Sequence, residues 1–331
     1  MKLPADYVSR ADAGEALFVE RALTYIETET YNVEFPPLEG LKYVPVDTSA
    51  NEGAKDTKYK QYTRVGLAKL VTERGQDMPT TSLFVKEYGH QFYRLGVSYN
   101  YTLDDLLAAQ FAASNNGGPA LNIDLEMATA AREAIDRGLD VIAGIGSTSS
   151  TTIPGLSQGV GPDVGLLGLL NQPNASTYTL AVGAGSGSTA WAGKTPDEKI
   201  ADLTGLYTSV VASTYKVFKI DTILLPITQY EQANGQRMGD GSDETVISFF
   251  KKIKPEVSID SWQYCAGAGT GGVDRMVGYM KNKRYIRHMI SQMFRQHPPD
   301  MEGLEFQVLC TAKTAGVVCP YPLSVVYADS L

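Results

Sequence analysis

The sequence predicts an α+β fold, on three observations. Residues 41–101 alternate apolar or aromatic with polar side chains, in pieces such as TKYKQYTRVGLAKLV and HQFYRLGVSYNY, which is the period-two pattern of strands. Residues 124–143 repeat apolar groups at helical spacing through Ala128, Ala131, Ile135, Leu139 and Ile142. Over 195–280 helical patterns alternate with short apolar strands, as in a sheet covered by helices.

Composition narrows the function before any element is placed. The 331 residues are 43% hydrophobic and 20% charged, an ordinary globular usage that excludes global disorder. A net charge of −8 repels nucleic acid at long range and argues against a dedicated DNA or RNA reader. Cys265, Cys310 and Cys319, with His90, His288 and His297, make neither a disulfide framework nor a close metal cluster. There is no GxxxxGK[ST], HExxH or GxSxG, and VGAGSGS at 182–188 does not fit a dinucleotide loop opening a helix. No catalytic residue, cofactor or metal is therefore expected. The start of the sequence has no apolar signal region and no run of 18 apolar residues occurs, so neither secretion nor a membrane partner is expected.

Taken in order, residues 1–14 read as an arm. A helix over 15–28 follows, with Leu17, Phe18, Ala22, Tyr25 and Ile26 on one stripe, and Pro36-Pro37 then forces an extended path. The alternating stretch predicts long antiparallel ribbons with NEGAKD as a turn. Tyr59, Gln61, Thr63 and Val65 would share one face, and Lys58, Lys60, Tyr62 and Arg64 the other. A two-stranded ribbon is marginal alone and needs another surface. Asp124 is the expected N-cap of the long helix.

Residues 144–194 form a Gly, Ser and Thr segment in which LLGLLN is tied down by its leucines. Thr195-Pro196-Asp197-Glu198 is a capping-box signature, followed by Ile200, Leu203, Leu206, Tyr207, Val210 and Val211 as a buried stripe. A buried strand at 223–225 leads through Pro226 to a short helix bearing Tyr230. A helix capped by Ser242 turns Val246, Phe249 and Phe250 inward, and a strand over 257–259 leads to Trp262. The glycines of AGAGTGG read as a tight turn before Asp274 and Arg275 rather than a phosphate nest. The last 29 residues read as strands separated by Thr314-Ala315-Gly316 and by Pro320.

Charge is uneven: residues 1–40, 41–100, 101–240 and 241–331 carry −5, +3, −7 and +1, which sum to −8. Oppositely charged regions of this kind steer association between subunits. Nineteen tyrosines, a residue enriched where surfaces meet, fit extensive interfaces.

The order FVERALTYIE, ribbon, 124–143 helix, LLGLLNQPN, KTPDEKIADL, DTILLPITQY, GAGTGGVDRMVGY and GLEFQVLC…YPLSVVYAD resembles the major capsid proteins of tailed bacteriophages and prophages, the HK97-like capsid fold shared with encapsulin shells. The resemblance covers roughly 14–331. It implies an N-terminal arm and first helix at 1–40, and an extended E-loop ribbon at 41–101 that reaches over a neighbour. A peripheral domain at 102–194 would hold the spine helix, 195–302 would be mainly the axial domain, and 303–331 would supply closing strands of the peripheral domain. Its implied function is a virion shell of hexamers and pentamers around double-stranded DNA, assembled in the host cytoplasm. The implied partners are further copies of the chain, DNA held nonspecifically, a portal protein, and separate scaffold and decoration proteins. Intersubunit contacts are expected from Lys58, Lys60, Tyr62, Arg64 and Lys69, with Glu27, Glu29, Asp136 and Asp140 as countercharges. The 147–163 loop is an addition to the family pattern, and no scaffolding domain is visible at the N-terminus. Some relatives crosslink a ribbon lysine to an asparagine; Lys55, Lys58 and Lys60 are present, but a noncovalent shell is the expectation. An encapsulin-like storage compartment and an oligomeric enzyme are the alternative readings.

Overall fold

The computed structural model describes residues 36–70, 78–115, 123–147, 164–185, 187–239, 241 and 243–331. The expected arm, the 15–28 helix and most of the 147–163 loop lie outside them. In chain order the first elements are α1 (Gly40–Tyr43), β1 (Val46–Asp47), β2 (Asp56–Val65), β3 (Ser82–Gln91), β4 (Tyr93–Thr102), α2 (Leu103–Asn115) and α3 (Ile123–Ile145). Then come β5 (Ser176–Thr177), α4 (Pro196–Ser213), β6 (Thr222–Leu225), α5 (Ile227–Gly235), α6 (Val246–Ile253) and β7 (Ser258–Ser261). The chain closes with β8 (Arg275–Tyr279), β9 (Arg287–Gln296), β10 (Asp300–Glu302), β11 (Glu305–Val318) and β12 (Val325–Asp329).

The first sheet is built around β11. One edge of β11 pairs with β4 from Glu305↔Thr102 to Thr314↔Tyr93, the other with β10 and β9, and β1 adds parallel to β9. Strand β4 was expected to end the ribbon; instead it lies in this sheet, because Leu95, Val97, Tyr99 and Tyr101 pack against α3. From α3 the predicted stripe of Ala131, Ile135 and Leu139 meets Ile290, Val308, Cys310 and Ala312. The helix starts at Ile123, so Asp124 is not its cap but a first-turn carboxylate that accepts a hydrogen bond from Tyr99 Oη at 3.1 Å. At the other end, Leu169 and Leu170 N–H donate to the carbonyls of Ala143 and Gly144 at 2.8 and 2.9 Å, so the LLGLLN segment satisfies the last turn of α3. A Cβ on Gly168 would lie 2.3 Å from Gly144 O, so the crossing requires glycine.

The expected break at Thr314–Gly316 is a bulge rather than a turn. Strand β11 runs through it with register shifts between Thr311 and Gly316, and Gly316 sits at φ +72°. After it, β12 crosses into the second sheet, whose order is β5-β12-β8-β6-β7. Helices α4 to α6 cover one face through Leu203, Leu206, Val210, Val246 and Phe250 on Ile223, Ile259 and Val326. Helix α4 carries the predicted capping box between Thr195 and Glu198. Helix α6 is capped by Thr245 with Ser248, not by Ser242, and it buries Ile247 while Phe249 is half-buried. Beside α4, Lys194 Nζ lies 2.6 Å from Asp202 Oδ2, which also accepts from Trp191 Nε1 at 3.0 Å. The two charged side chains are only 1% and 2% exposed.

A third cluster joins the sheets. Tyr43, Trp262, Tyr264, Tyr279, Val317 and Tyr327 meet there, and Tyr279 Oη donates to Tyr43 O at 2.8 Å. Residues 41–43, read as the start of the alternating stretch, belong instead to the helical turn α1, whose Gly40 N–H donates to Asp140 of α3.

His288 sits in the first sheet with no exposed surface. Thr314 Oγ1 donates to Met289 O at 2.9 Å, so it accepts from His288 Nε2–H at 2.9 Å, which fixes the tautomer. His288 Nδ1 is buried without a partner, and burial pushes the imidazole down to about 4. The folded state thus resists a proton that the unfolded chain takes up near 6.5. Stability is fully present above pH 6.5 and falls between 6.5 and about 4, by roughly 1.4 kcal/mol per unit of pH. His288→Gln, which keeps a donor for Thr314, should flatten the decline of the unfolding midpoint over that window. Equal declines for wild type and variant would remove His288 as its cause.

Candidate interaction surfaces

Among the described residues no group of three His, Cys, Asp or Glu side chains could hold a metal ion, and no helix is long and apolar enough to cross a membrane. All three cysteines are buried free thiols, and burial raises each, Cys319 to about 11, which keeps them protonated and unreactive. The glycine turn before β8 is filled by the chain itself. Gly267 N–H donates to Asp274 at 3.0 Å, Thr270 N–H donates to Asp329 at 3.3 Å, and Asp329 also takes Arg275 Nε at 2.7 Å. Those amides are occupied by carboxylates of the protein, so the turn anchors β8 to β12. At 182–188, Ala184 N–H donates to Glu198 at 2.7 Å, which makes the loop a rest for the α4 cap.

The surface that stands apart from both cores is the ribbon. Strands β2 and β3 pair over ten residues each, with no third strand among the described residues. Only the foot is anchored: Phe92 N–H closes on Lys55 O at 3.0 Å, and Tyr59 stacks on Tyr88 at 5.3 Å and on His90 at 6.0 Å. Beyond Gln61 both faces are open. The register sets Tyr62 opposite Val85 and Arg64 opposite Leu83 on one face, and Thr63 opposite Phe84 on the other. Tyr62 is 60% and Phe84 58% exposed, although residues of this size are ordinarily covered.

The expected contact residues divide. Lys58, Lys60, Tyr62, Arg64 and Lys69 are exposed along and just beyond β2; Lys58 lies 3.9 Å from both Asp56 and Glu87. Glu27 and Glu29 fall outside the described residues. Asp136 is half-buried, 3.7 Å from Arg132 of its own helix. Asp140 is a correction: it is wholly buried, accepts from Gly40 N–H and from Tyr264 Oη at 2.8 Å, and burial raises its pKa. It braces α1 against α3 and is not a surface countercharge. Leu83, Phe84 and Val85 were missed, because only the strand register shows that Leu83 and Val85 extend the face begun by Tyr62 while Phe84 stands on the opposite one.

A model of the major capsid protein family matches residues 66–331. No curated protein sequence matches the chain. Among solved structures, the capsid of Myoviridae phage XM1 is similar at 18% identity with a TM-score of 0.77, covering 94% of this chain and 98% of that one. Gordonia phage Cozz gives 13% identity and 0.61, covering 96% and 93%. The virus-like particle from Pyrococcus furiosus gives 13% and 0.50, covering 87% and 91%. At these identities the likeness to solved structures is one of fold.

Proposed function

Since this chain belongs to the major capsid protein family, a structural subunit that self-assembles into shells, we propose that it forms hexamers and pentamers closing an icosahedral virion around double-stranded DNA. The observation that carries this reading is the ribbon: twenty paired residues whose outer half exposes apolar groups on both faces and joins no buried cluster of the described residues. A neighbouring subunit supplies the missing surface. In this reading β2 and β3 are the E-loop and α3 is the spine helix of a peripheral domain made by the first sheet. The second sheet with α4 to α6 is the axial domain. Strand β9 then belongs to the peripheral and β12 to the axial layer, which moves the division expected near residue 302. Portal, scaffold and decoration proteins are the further partners, and assembly takes place in the host cytoplasm.

Electron microscopy of the expressed full chain, with a scaffold supplied if needed, should show capsomers or closed particles. A persistent monomer under those conditions would sink the reading. Particles filled with protein instead of DNA in the infected host would favour a storage compartment. In boiling detergent the particles should release single chains of 35.8 kDa. A ladder resistant to reducing agent would replace the noncovalent shell with a crosslinked one.

A further inference from the structure

At one end of the first sheet, exposed carboxylates gather from separate segments: Asp104 and Asp105 on α2, Asp300 and Glu302 on β10, and Glu305 at the start of β11. None is in an ion pair among the described residues; Asp105 is held only by Thr102, whose N–H and Oγ1 both donate to it. The hydrogen bond from Leu103 N–H to Leu304 O, at 3.0 Å, binds the two segments together. Met301 and Leu304 are exposed between the charges.

The far end of β11 leads to Tyr321, whose ring packs 5.8 Å from Phe218 and 5.6 Å from Tyr285. Around these rings stand exposed cations: Lys216, Lys219, Lys281, Lys283 and Arg284. No carboxylate lies within ion-pair distance of any of them among the described residues; Asp221, between them, accepts from Lys281 N–H and Thr222 Oγ1 at 2.8 and 2.9 Å. Tyr215 and Lys216 both hold left-handed backbones, at φ 51° and 67°, which presents Tyr215 to solvent at 91% exposure beside an exposed Val217.

The fourteen residues of β11 hold these ends roughly 40 Å apart, several Debye lengths at physiological salt, so they cannot neutralise each other within one subunit. Resting on the shell reading, we propose that subunits dock head to tail, the basic end of one copy receiving the acidic end of the next. Opposite charge sets the orientation, and the apolar groups at each end supply contact that a phosphate backbone would not use. Such a contact is heterologous, the class that closes into rings.

Charge reversal tests it, since every altered side chain is exposed. One variant carries Lys216→Glu, Lys219→Glu and Lys281→Glu; the other carries Asp300→Lys, Glu302→Lys and Glu305→Lys. Each alone should give at least tenfold fewer particles than wild type, with unchanged circular dichroism. Mixed one to one, each variant offers what the other lacks, and hexamers counted by native mass spectrometry should recover to within about twofold of wild type, since a six-membered ring can alternate the two variants whereas a five-membered ring keeps one like-charged contact. Wild-type yields from the separate variants, or no recovery on mixing, would overturn the proposal. So would a basic-end variant that assembles normally but loses retained DNA, which would assign that end to the polyanion.

A second readout does not depend on closed particles. Wild-type chains labelled with nitrogen-14 and nitrogen-15 are mixed, coupled by a zero-length carbodiimide, and digested for mass spectrometry. Mixed-isotope peptides should join 216–219 or 281–284 to 104–105 or 300–305. Particles without those links would sink the docking alone, and links without particles would sink the shell reading alone.

Discussion

Removing the outer ribbon is expected to abolish shells while leaving the subunit folded. Tyr59 and Tyr88 are directly paired, so replacing residues 60–87 by an Asn-Gly turn joins the strands at a position the register already fixes. The foot survives, with the Tyr59, Tyr88 and His90 stack and the Lys55–Phe92 closure intact. Nothing excised belongs to a buried cluster of the described residues, so the thermal midpoint should move by no more than about 2 °C, a shift of about 1 kcal/mol for a chain of this length. Particle yield should fall below detection in electron micrographs. A truncated chain that still closes into particles would show that the ribbon's apolar faces are not the essential interface.

The largest effect on folding itself is expected at Lys194. Its ammonium is the only cation on Asp202 among the described residues, and neither side chain reaches solvent. Lys194→Met preserves bulk but leaves the carboxylate buried with one neutral donor, Trp191 Nε1. Stranding a buried charge this way costs about 3–5 kcal/mol. Denaturant unfolding should report that loss, and Lys194→Met with Asp202→Leu should recover part of it. The remainder is the orphaned indole N–H, about 1–3 kcal/mol. A single variant within 1 kcal/mol of wild type would mean that water reaches the pair.

Local signals in the sequence translated directly into structure. The Thr195 capping box, the α3 stripe and the leucines of LLGLLN each depend on residues a few positions apart, and each was legible. What failed depended on partners far along the chain. Strand β4 looked like ribbon because its alternation is the same whether its apolar face meets a neighbour or α3. Asp140 reads as a surface acid beside Leu139, and only the arrival of Gly40 and Tyr264 makes it a buried brace. The Lys194–Asp202 pair left no trace, since eight residues separate them and both types are ordinarily exposed. The charged ends of the first sheet were visible only as a net imbalance, because each is gathered from distant segments.

The β4–β11 ladder also sets a timetable for biosynthesis. Tyr93 pairs with Thr314, so the first sheet lacks its central strand until nearly the whole chain has been translated. At about 5–20 residues per second, β4 waits roughly 10–45 s after leaving the ribosome. Through that interval Leu95, Val97 and Tyr99 lie on an unpaired edge, the type of surface that recruits other chains and occupies chaperones. The ribbon, by contrast, closes between neighbours in sequence and is complete early. In the proposed shell, a nascent chain would carry its reaching element before it owns a finished surface for another ribbon to grip, which would delay association until the last strands are made.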